Sequence, residues 1–364
     1  MQRLRTGVIG AGLIAQVEHI PNLLHLRDRF DLIAVSDPSP GARAFVTERY
    51  RVPTVATADE LLALPMDAVV IAAPDPWHAE LVQKSLAAGL NVFCEKPLCY
   101  GVAEAEAIAA ARDEAGKVVQ VGYMKRFDPS YRAAARLMPG TKETLRYVSV
   151  EVHDPDAWPF VRHHPFRPAA DVPENLIAET KARQVVQIEA ALGFVPDETL
   201  RKGFTGAYCS SLVHDVNAVH GLLDALEAAP GEPAGAAIFA EGTGGQGSVW
   251  LEGRQGLWNM VHLQVPGLAD YRERISFYFD AAVLELEFPA PYLNHQPTRL
   301  CVRRSDGHTL TVADVRDGFE EPFVLELQSF WSAVVEGTPV VNTVEAAARD
   351  VALLAALLRR AAGR

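Results

Sequence analysis

Thr6-Gly7-Val8-Ile9-Gly10-Ala11-Gly12-Leu13-Ile14-Ala15 is the stretch whose reading decides the fold of this chain. A short apolar run leads into glycines spaced G-x-G, and a helix-compatible segment follows from Leu13 to about Leu26. Strand, glycine turn and helix in that order are the parts of a dinucleotide-binding βαβ unit. In such a unit Gly10 permits the tight turn, Gly12 lets a pyrophosphate approach the backbone, and Ala15 keeps the helix close to the sheet. Phosphates would rest on the N–H groups of the helix start, at Leu13 and Ile14, where the helix dipole favours anions. Glycine turns also form for purely steric reasons, so the position of the motif carries the reading.

Working outward, a second strand from Phe30 to Ser36 ends at Asp37. An acidic group there can accept hydrogen bonds from an adenosine ribose and repels a 2′-phosphate, which favours NAD over NADP. The competing reading of Asp37 is a turn former before Pro38, and Arg43 in the following helix could soften the preference. The alternation continues with helix from Gly41 to Tyr50, strand at Thr54–Val55, helix from Ala58, and an unbroken apolar strand from Ala68 to Ala73. That run suits a parallel strand covered on both faces. Helix from His78 to Ala88, strand from Asn91 to Cys94, helix from Val102 to Ala115 and strand from Val118 to Gly122 complete the pattern. Such alternation implies an open parallel sheet whose ligand crevice lies beyond the carboxyl ends of its strands. Gly12, Asp37, Pro74, Lys96 and Tyr123 all fall at such ends.

Beyond about residue 126 the character changes. A strand from Thr144 to His153, a Pro- and His-rich loop from Pro155 to Pro173, and helices from Glu174 to Leu192 and Ala207 to Leu226 precede a series of hairpin-like strands between Ala236 and Val315. Two helices, Val324–Glu336 and Thr343–Ala362, close the chain. The expected fold class is α/β plus α+β. A Rossmann domain over 1–125 precedes an α+β domain over 126–364 built on an open, mainly antiparallel sheet, the final helices being free to pack back on the first. At 364 residues the chain also exceeds the usual size of one hydrophobic core.

The formal net charge of −12, without any basic run, argues against nucleic acid as a partner. No stretch is long enough for a membrane span and the start lacks the apolar core of a secretion signal. Cys94, Cys99, Cys209 and Cys301 show no paired spacing, so reduced thiols and a cytoplasmic location are expected.

Three further stretches make the reading specific: Ala72-Ala73-Pro74-Asp75-Pro76-Trp77-His78, Ala87-Ala88-Gly89-Leu90-Asn91-Val92-Phe93-Cys94-Glu95-Lys96-Pro97-Leu98, and Gly122-Tyr123-Met124-Lys125-Arg126-Phe127-Asp128-Pro129. Together with the glycine turn they resemble the glucose-fructose oxidoreductase, inositol dehydrogenase and MocA family, and the resemblance covers nearly the whole chain. It implies a nicotinamide between two domains, a sugar, cyclitol or polyol substrate, and a homodimer or homotetramer formed through the exposed face of the second sheet. By this resemblance Lys96 of Glu95-Lys96-Pro97 contacts the nicotinamide ribose and the substrate oxygen. Pro74, Trp77, His78, Glu95 and Arg126 join Gly10, Gly12, Leu13, Ile14 and Asp37 around the cofactor, and Tyr123 faces the substrate. Chemistry agrees: a cation at a strand end stabilises a developing alkoxide, although a solvated lysine would look the same in sequence.

Ser211-Leu212-Val213-His214-Asp215-Val216-Asn217 resembles the family's catalytic-histidine helix, with His214 as the base that removes a hydroxyl proton. A histidine packed between domains is the alternative. Many polyol dehydrogenases of the family carry Asp four residues earlier, where this chain has Ser210, which i,i+4 spacing would bring beside His214. Trp158, on the loop with His163 and His164, is a candidate for stacking on a sugar face or for lid packing. The adjacent histidines lack further ligands at fixed spacing, so no metal is expected. Two rivals to a dehydrogenase remain: a redox-neutral lyase or glycosidase that uses NAD transiently, and a non-catalytic dinucleotide-binding regulator.

Overall fold

A computed structural model of the chain describes residues 2–140 and 144–364. They form two compact units. The first comprises residues up to Tyr123 together with Arg162–Ala191 and Phe323–Arg349; the second comprises Met124–Val161, Leu192–Pro322 and Asp350–Arg364.

In the first unit β1 (Leu4–Ile9), β2 (Phe30–Ser36), β3 (Thr54–Val55), β4 (Ala68–Ile71), β5 (Asn91–Glu95) and β6 (Val119–Gly122) form a parallel sheet in the order β3-β2-β1-β4-β5-β6. The order reverses beside β1, at the switch point where such folds place a dinucleotide. Val69, Val70 and Ile71 of β4 are fully buried because helices cover both faces. The unit is not the continuous 1–125 of the sequence reading, and packing explains the difference. Helix Pro322–Val335 lays Leu327, Phe330 and Trp331 into the cluster of Val8, Ile20, Leu23, Phe30 and Phe93, and the Trp331 indole N–H donates to the carbonyl of Gln2 at 3.0 Å. Helix Glu174–Leu192 also joins this unit: Arg183 pairs with Glu80, and Gln187 donates to Glu104 at 2.9 Å.

The second unit holds an eight-stranded sheet made of β7 (Leu145–Asp154), β8 (Pro230–Phe239), β9 (Gly244–Leu251), β10 (Leu257–Gln264), β11 (Arg272–Phe279), β12 (Ala282–Phe288), β13 (Arg299–Ser305) and β14 (Leu310–Val315). Its order is β14-β13-β12-β11-β7-β10-β9-β8. All pairings are antiparallel except β7 with β10. Burial alternates with period two, as at Val148, Val150 and Val152 of β7 and Trp258 and Met260 of β10, so one face forms the core. Sequence-adjacent β10 and β11 do not form a hairpin, because β7 lies between them. β8 begins at Pro230, ahead of the Ala236 from which these strands were expected, with register shifts between Pro230 and Gly235. Among the described residues no helix is long and apolar enough to cross a membrane, and the four cysteines are buried and form no disulfide.

Candidate functional site

The glycine turn lies between β1 and a continuous helical run over 13–25, whose residues Ala15–His19 widen into a π-turn. Gly10 has φ +97°, a conformation that side chains rarely adopt, and a Cβ there would stand 2.4 Å from the carbonyl oxygen of Ala72. At Gly12, by contrast, a Cβ would meet nothing within 4 Å. The missing side chain therefore leaves open space against the backbone at the start of the helix, the cradle a pyrophosphate needs. Ala15 is fully buried, as close packing of helix on sheet requires.

Asp37 closes the same crevice from β2. Its carboxylate accepts from the Ala11 N–H at 2.7 Å and from the Ser39 N–H at 2.8 Å, so it ties the glycine turn to the end of β2 and forms the turn before Pro38. Burial raises its pKa despite these two N–H bonds and the nearby Arg43. Arg43 donates to the Asp37 main-chain oxygen at 2.6 Å.

Pro74 is exposed at the end of β4. Trp77 and His78, expected around the cofactor, are engaged by protein. The Trp77 N–H donates to Thr180 at 2.9 Å and Arg183 lies 4.0 Å from its ring centroid. The two ring nitrogens of His78 each lie 2.7 Å from a carbonyl oxygen, of Pro97 and of Ala73, so the imidazole braces the two loops that follow β4 and β5. The helix that supplies Thr180 and Arg183 is distant in sequence, which is why periodicity around Trp77 gives no sign of it.

Glu95 and Lys96 end β5, and the Lys96–Pro97 peptide is cis. Glu95 turns inward: one oxygen lies 2.6 Å from His19 Nε2, and the other accepts from the Lys96 N–H at 3.1 Å. Burial disfavours its charge, but His19 and Lys96 hold its pKa below the ordinary carboxylate value. Lys96 is half-buried. Beside the pair stands Glu326, fully buried, with neither carboxylate oxygen hydrogen-bonded, and its ligand-capable atom lies within 4.8 Å of those of His19 and Glu95. The trio is a possible three-ligand set that the sequence reading, which expected no metal, did not contain. Two carboxylates and an imidazole without solvent access are as well served by a retained proton. Burial, then the charges of Glu95 and Glu18, raises Glu326 well above its ordinary value of 4.5.

A pH effect follows. A carboxyl raised in the folded state lends stability that is complete below about 4.5, the unfolded value, and is lost as pH rises toward the folded value. Glu326→Gln keeps the shape and removes the titration. Urea unfolding should find it more stable than wild type by at least roughly 1 kcal/mol at about pH 8, with a flatter pH profile. Parallel profiles for the two proteins would mean that Glu326 is not held protonated.

Tyr123 is buried at the end of β6, its carbonyl accepting from Asn342 at 3.0 Å. In the second unit Arg126 faces the Asn217 carbonyl at 3.4 Å and the Tyr131 ring. His214 is half-buried and Ser210 exposed. Phe204–Leu212 is π-helical and the α-helix resumes at Val213, so the α-helical i,i+4 register expected between Ser210 and His214 is not kept. Trp158 is 58% exposed on a short helix.

The sequence reading missed a charged cluster next to His214. Lys125, 4% exposed, donates to Asp215 at 3.0 Å and pairs with Glu273 of β11, which also accepts from the Tyr271 hydroxyl at 2.8 Å. Burial, then the Glu273 charge, raises Asp215 well above the ordinary carboxylate value against the pull of Lys125. The cluster anchors the first turn of helix Val213–Ala225, which carries His214.

Residues 4–123 match the family described as "Oxidoreductase family, NAD-binding Rossmann fold". The chain is 37% identical over 137 residues to inositol 2-dehydrogenase 3 of Saccharopolyspora erythraea, a match covering 37% of this chain and 40% of that protein. It is 37% identical over 131 residues to inositol 2-dehydrogenase of Acidothermus cellulolyticus, covering 35% and 38%. The chain thus spans about 40% of the length of the curated relatives it matches. In fold it is similar to UDP-N-acetylglucosamine 3-dehydrogenase GnnA from Acidithiobacillus ferrooxidans, with TM-score 0.70, 19% identity and coverage of 99% and 100% of the two chains. It is also similar to KijD10, a 3-ketoreductase from Actinomadura kijaniata solved with NADP and TDP-benzene, with TM-score 0.72, 19% identity and coverage of 98% and 97%.

Proposed function

We propose, from the match of residues 4–123 to the NAD-binding Rossmann oxidoreductase family and the resemblance to the glucose-fructose oxidoreductase, inositol dehydrogenase and MocA family, that this chain is an oxidoreductase for a secondary alcohol, or the matching ketone, of a sugar, cyclitol or related polyol. The observation that carries the reading is the glycine turn, where Gly10 accepts a backbone that other residues avoid and Gly12 leaves the helix start open. Asp37 beside that turn favours NAD over NADP. When bound there, a nicotinamide dinucleotide supplies two-electron chemistry, exchanging a hydride with the carbon that bears the substrate oxygen. Lys96 would hold that oxygen and stabilise the negative charge that develops on it. His214 would take the hydroxyl proton in oxidation and return it in reduction. The substrate class follows the inositol dehydrogenases and sugar-nucleotide enzymes that the chain resembles. The reading includes a cytoplasmic homodimer or homotetramer.

The test offers NAD with a panel of sugars, cyclitols and amino sugars, and NADH with the corresponding ketones, while reduced-nicotinamide absorbance is followed. Turnover with one class is expected, and His214→Ala should lower it by about a hundredfold or more while NAD affinity stays within a few-fold. NAD binding with silence across the panel would overturn net redox chemistry. Failure to bind NAD would overturn the cofactor assignment itself.

A further inference from the structure

The segment 162–173 interrupts the second unit in sequence yet belongs to the first. It touches the dinucleotide crevice at two points. At one, the Gln16 side chain, on the helix that follows the glycine turn, pairs with the Arg167 peptide: its amide donates to the Arg167 carbonyl and its oxygen accepts from the Arg167 N–H, both at 2.9 Å. The same amide also donates to the Ala11 carbonyl at 2.7 Å, so the segment is stitched to the glycine turn. At the other point Asp171 reaches the amino end of helix Pro40–Tyr50, where its carboxylate accepts from the Gly41 N–H at 2.8 Å and from the Ser39 hydroxyl.

That helix end directly follows Asp37. Pro40 has no N–H, the Ala42 N–H is taken by Ser39 Oγ at 3.0 Å, and the Gly41 N–H is taken by Asp171, so an anion from the chain itself already occupies the positive end of the helix. In a Rossmann domain the side chain ending the second strand faces the ribose 2′-hydroxyl, and a 2′-phosphate extends past it toward a nearby arginine. Here Arg43 is turned to the Asp37 carbonyl, and Arg167 lies near enough to favour the charged form of Asp171, which already holds the site. Ser39 links the two carboxylates, its N–H donating to Asp37 and its hydroxyl to Asp171. An incoming 2′-phosphate would find the Gly41 N–H held by Asp171 and the Ala42 N–H held by Ser39, and would meet two carboxylates there.

We propose that Asp171 is a second cofactor-specificity residue, whose carboxylate fills the place of a 2′-phosphate at the amino end of helix Pro40–Tyr50 and rejects NADP in addition to Asp37. The inference rests on the dinucleotide reading of the crevice. It predicts that discrimination against NADP is divided between a residue on β2's end and a residue contributed more than a hundred positions later. Asp171 is exposed, so solvent screens its charge and its share is on the order of tenfold in affinity.

Calorimetric titration tests this without turnover. Wild type is first titrated with NAD, then wild type, Asp171→Asn and Asp171→Ala are titrated with 5′-AMP and with 2′,5′-ADP, fragments that differ only in the 2′-phosphate. Asp171→Asn removes the charge and keeps the shape; Asp171→Ala also vacates the helix end. The expected result is a gain of about tenfold for 2′,5′-ADP in both variants, with 5′-AMP changed by less than about threefold. Equal gains for both fragments would show that the segment merely shields the crevice, and no gain for 2′,5′-ADP would show that the phosphate lies elsewhere; either overturns the proposal. Failure of wild type to bind NAD or 5′-AMP would overturn the dinucleotide reading, and this inference with it.

Discussion

Lys125→Met is expected to destabilise the protein by about 3–5 kcal/mol, the cost of leaving buried charge without its partner. Lys125 is the cation that Asp215 and Glu273 share, all three are at most 4% exposed, and the Tyr271 hydroxyl also donates to Glu273. Methionine matches the length of the lysine stem and keeps the contact with the Phe288 ring, over which the ammonium lies at 5.1 Å. The loss is therefore electrostatic rather than a cavity effect. Asp215 is already raised by burial and by Glu273 against the pull of Lys125, so removing the lysine raises it further. The sign follows: a raised carboxyl favours the folded state at low pH and penalises it as pH climbs. Denaturant unfolding should find the deficit large at about pH 8 and smaller at about pH 5, and Lys125→Met with Asp215→Asn should recover part of it. A deficit below about 1 kcal/mol, or one indifferent to pH, would mean the cluster is solvated.

Lys96→Ala should lower turnover of the substrate identified by the absorbance panel on the order of 10²- to 10³-fold, the usual cost of removing one donor aimed at a developing oxyanion. The substitution should spare folding, because Lys96 is half-buried at a strand end and the β-strand before it is held by Glu95 and His19. NAD affinity, read by calorimetry, should fall by no more than about tenfold. Lys96→Arg keeps a cation but not its position, and should recover little activity. Wild-type turnover in Lys96→Ala would remove the lysine from the chemistry. A collapse of NAD affinity with unchanged turnover at saturation would make it a cofactor-binding residue alone.

The parallel-sheet unit was legible because its signals are local. Gly10 announces a backbone angle, Asp37 stands at a strand end, and the apolar run of β4 suits a strand covered on both sides. Strands in the second unit were also legible, as at β10, which falls within the stretch between Ala236 and Val315 expected to hold them. Their order was not, since β7 enters between β10 and β11 through pairings with strands more than a hundred residues away.

By itself, then, the sequence determined the glycine turn, the alternation of the Rossmann sheet and the placing of Lys96 at a strand end, because steric limits and hydrophobic periodicity act over a few residues. Only the tertiary structure decided that Glu326 joins His19 and Glu95, that Lys125 is shared by Asp215 and Glu273, and that Asp171 caps the helix after Asp37. Each of these residues reads in isolation as an ordinary charge facing water. Whether such a charge is buried, and what pairs with it, depends on segments far apart in the chain, 148 positions apart for Lys125 and Glu273, and it is the folded chain that brings them together.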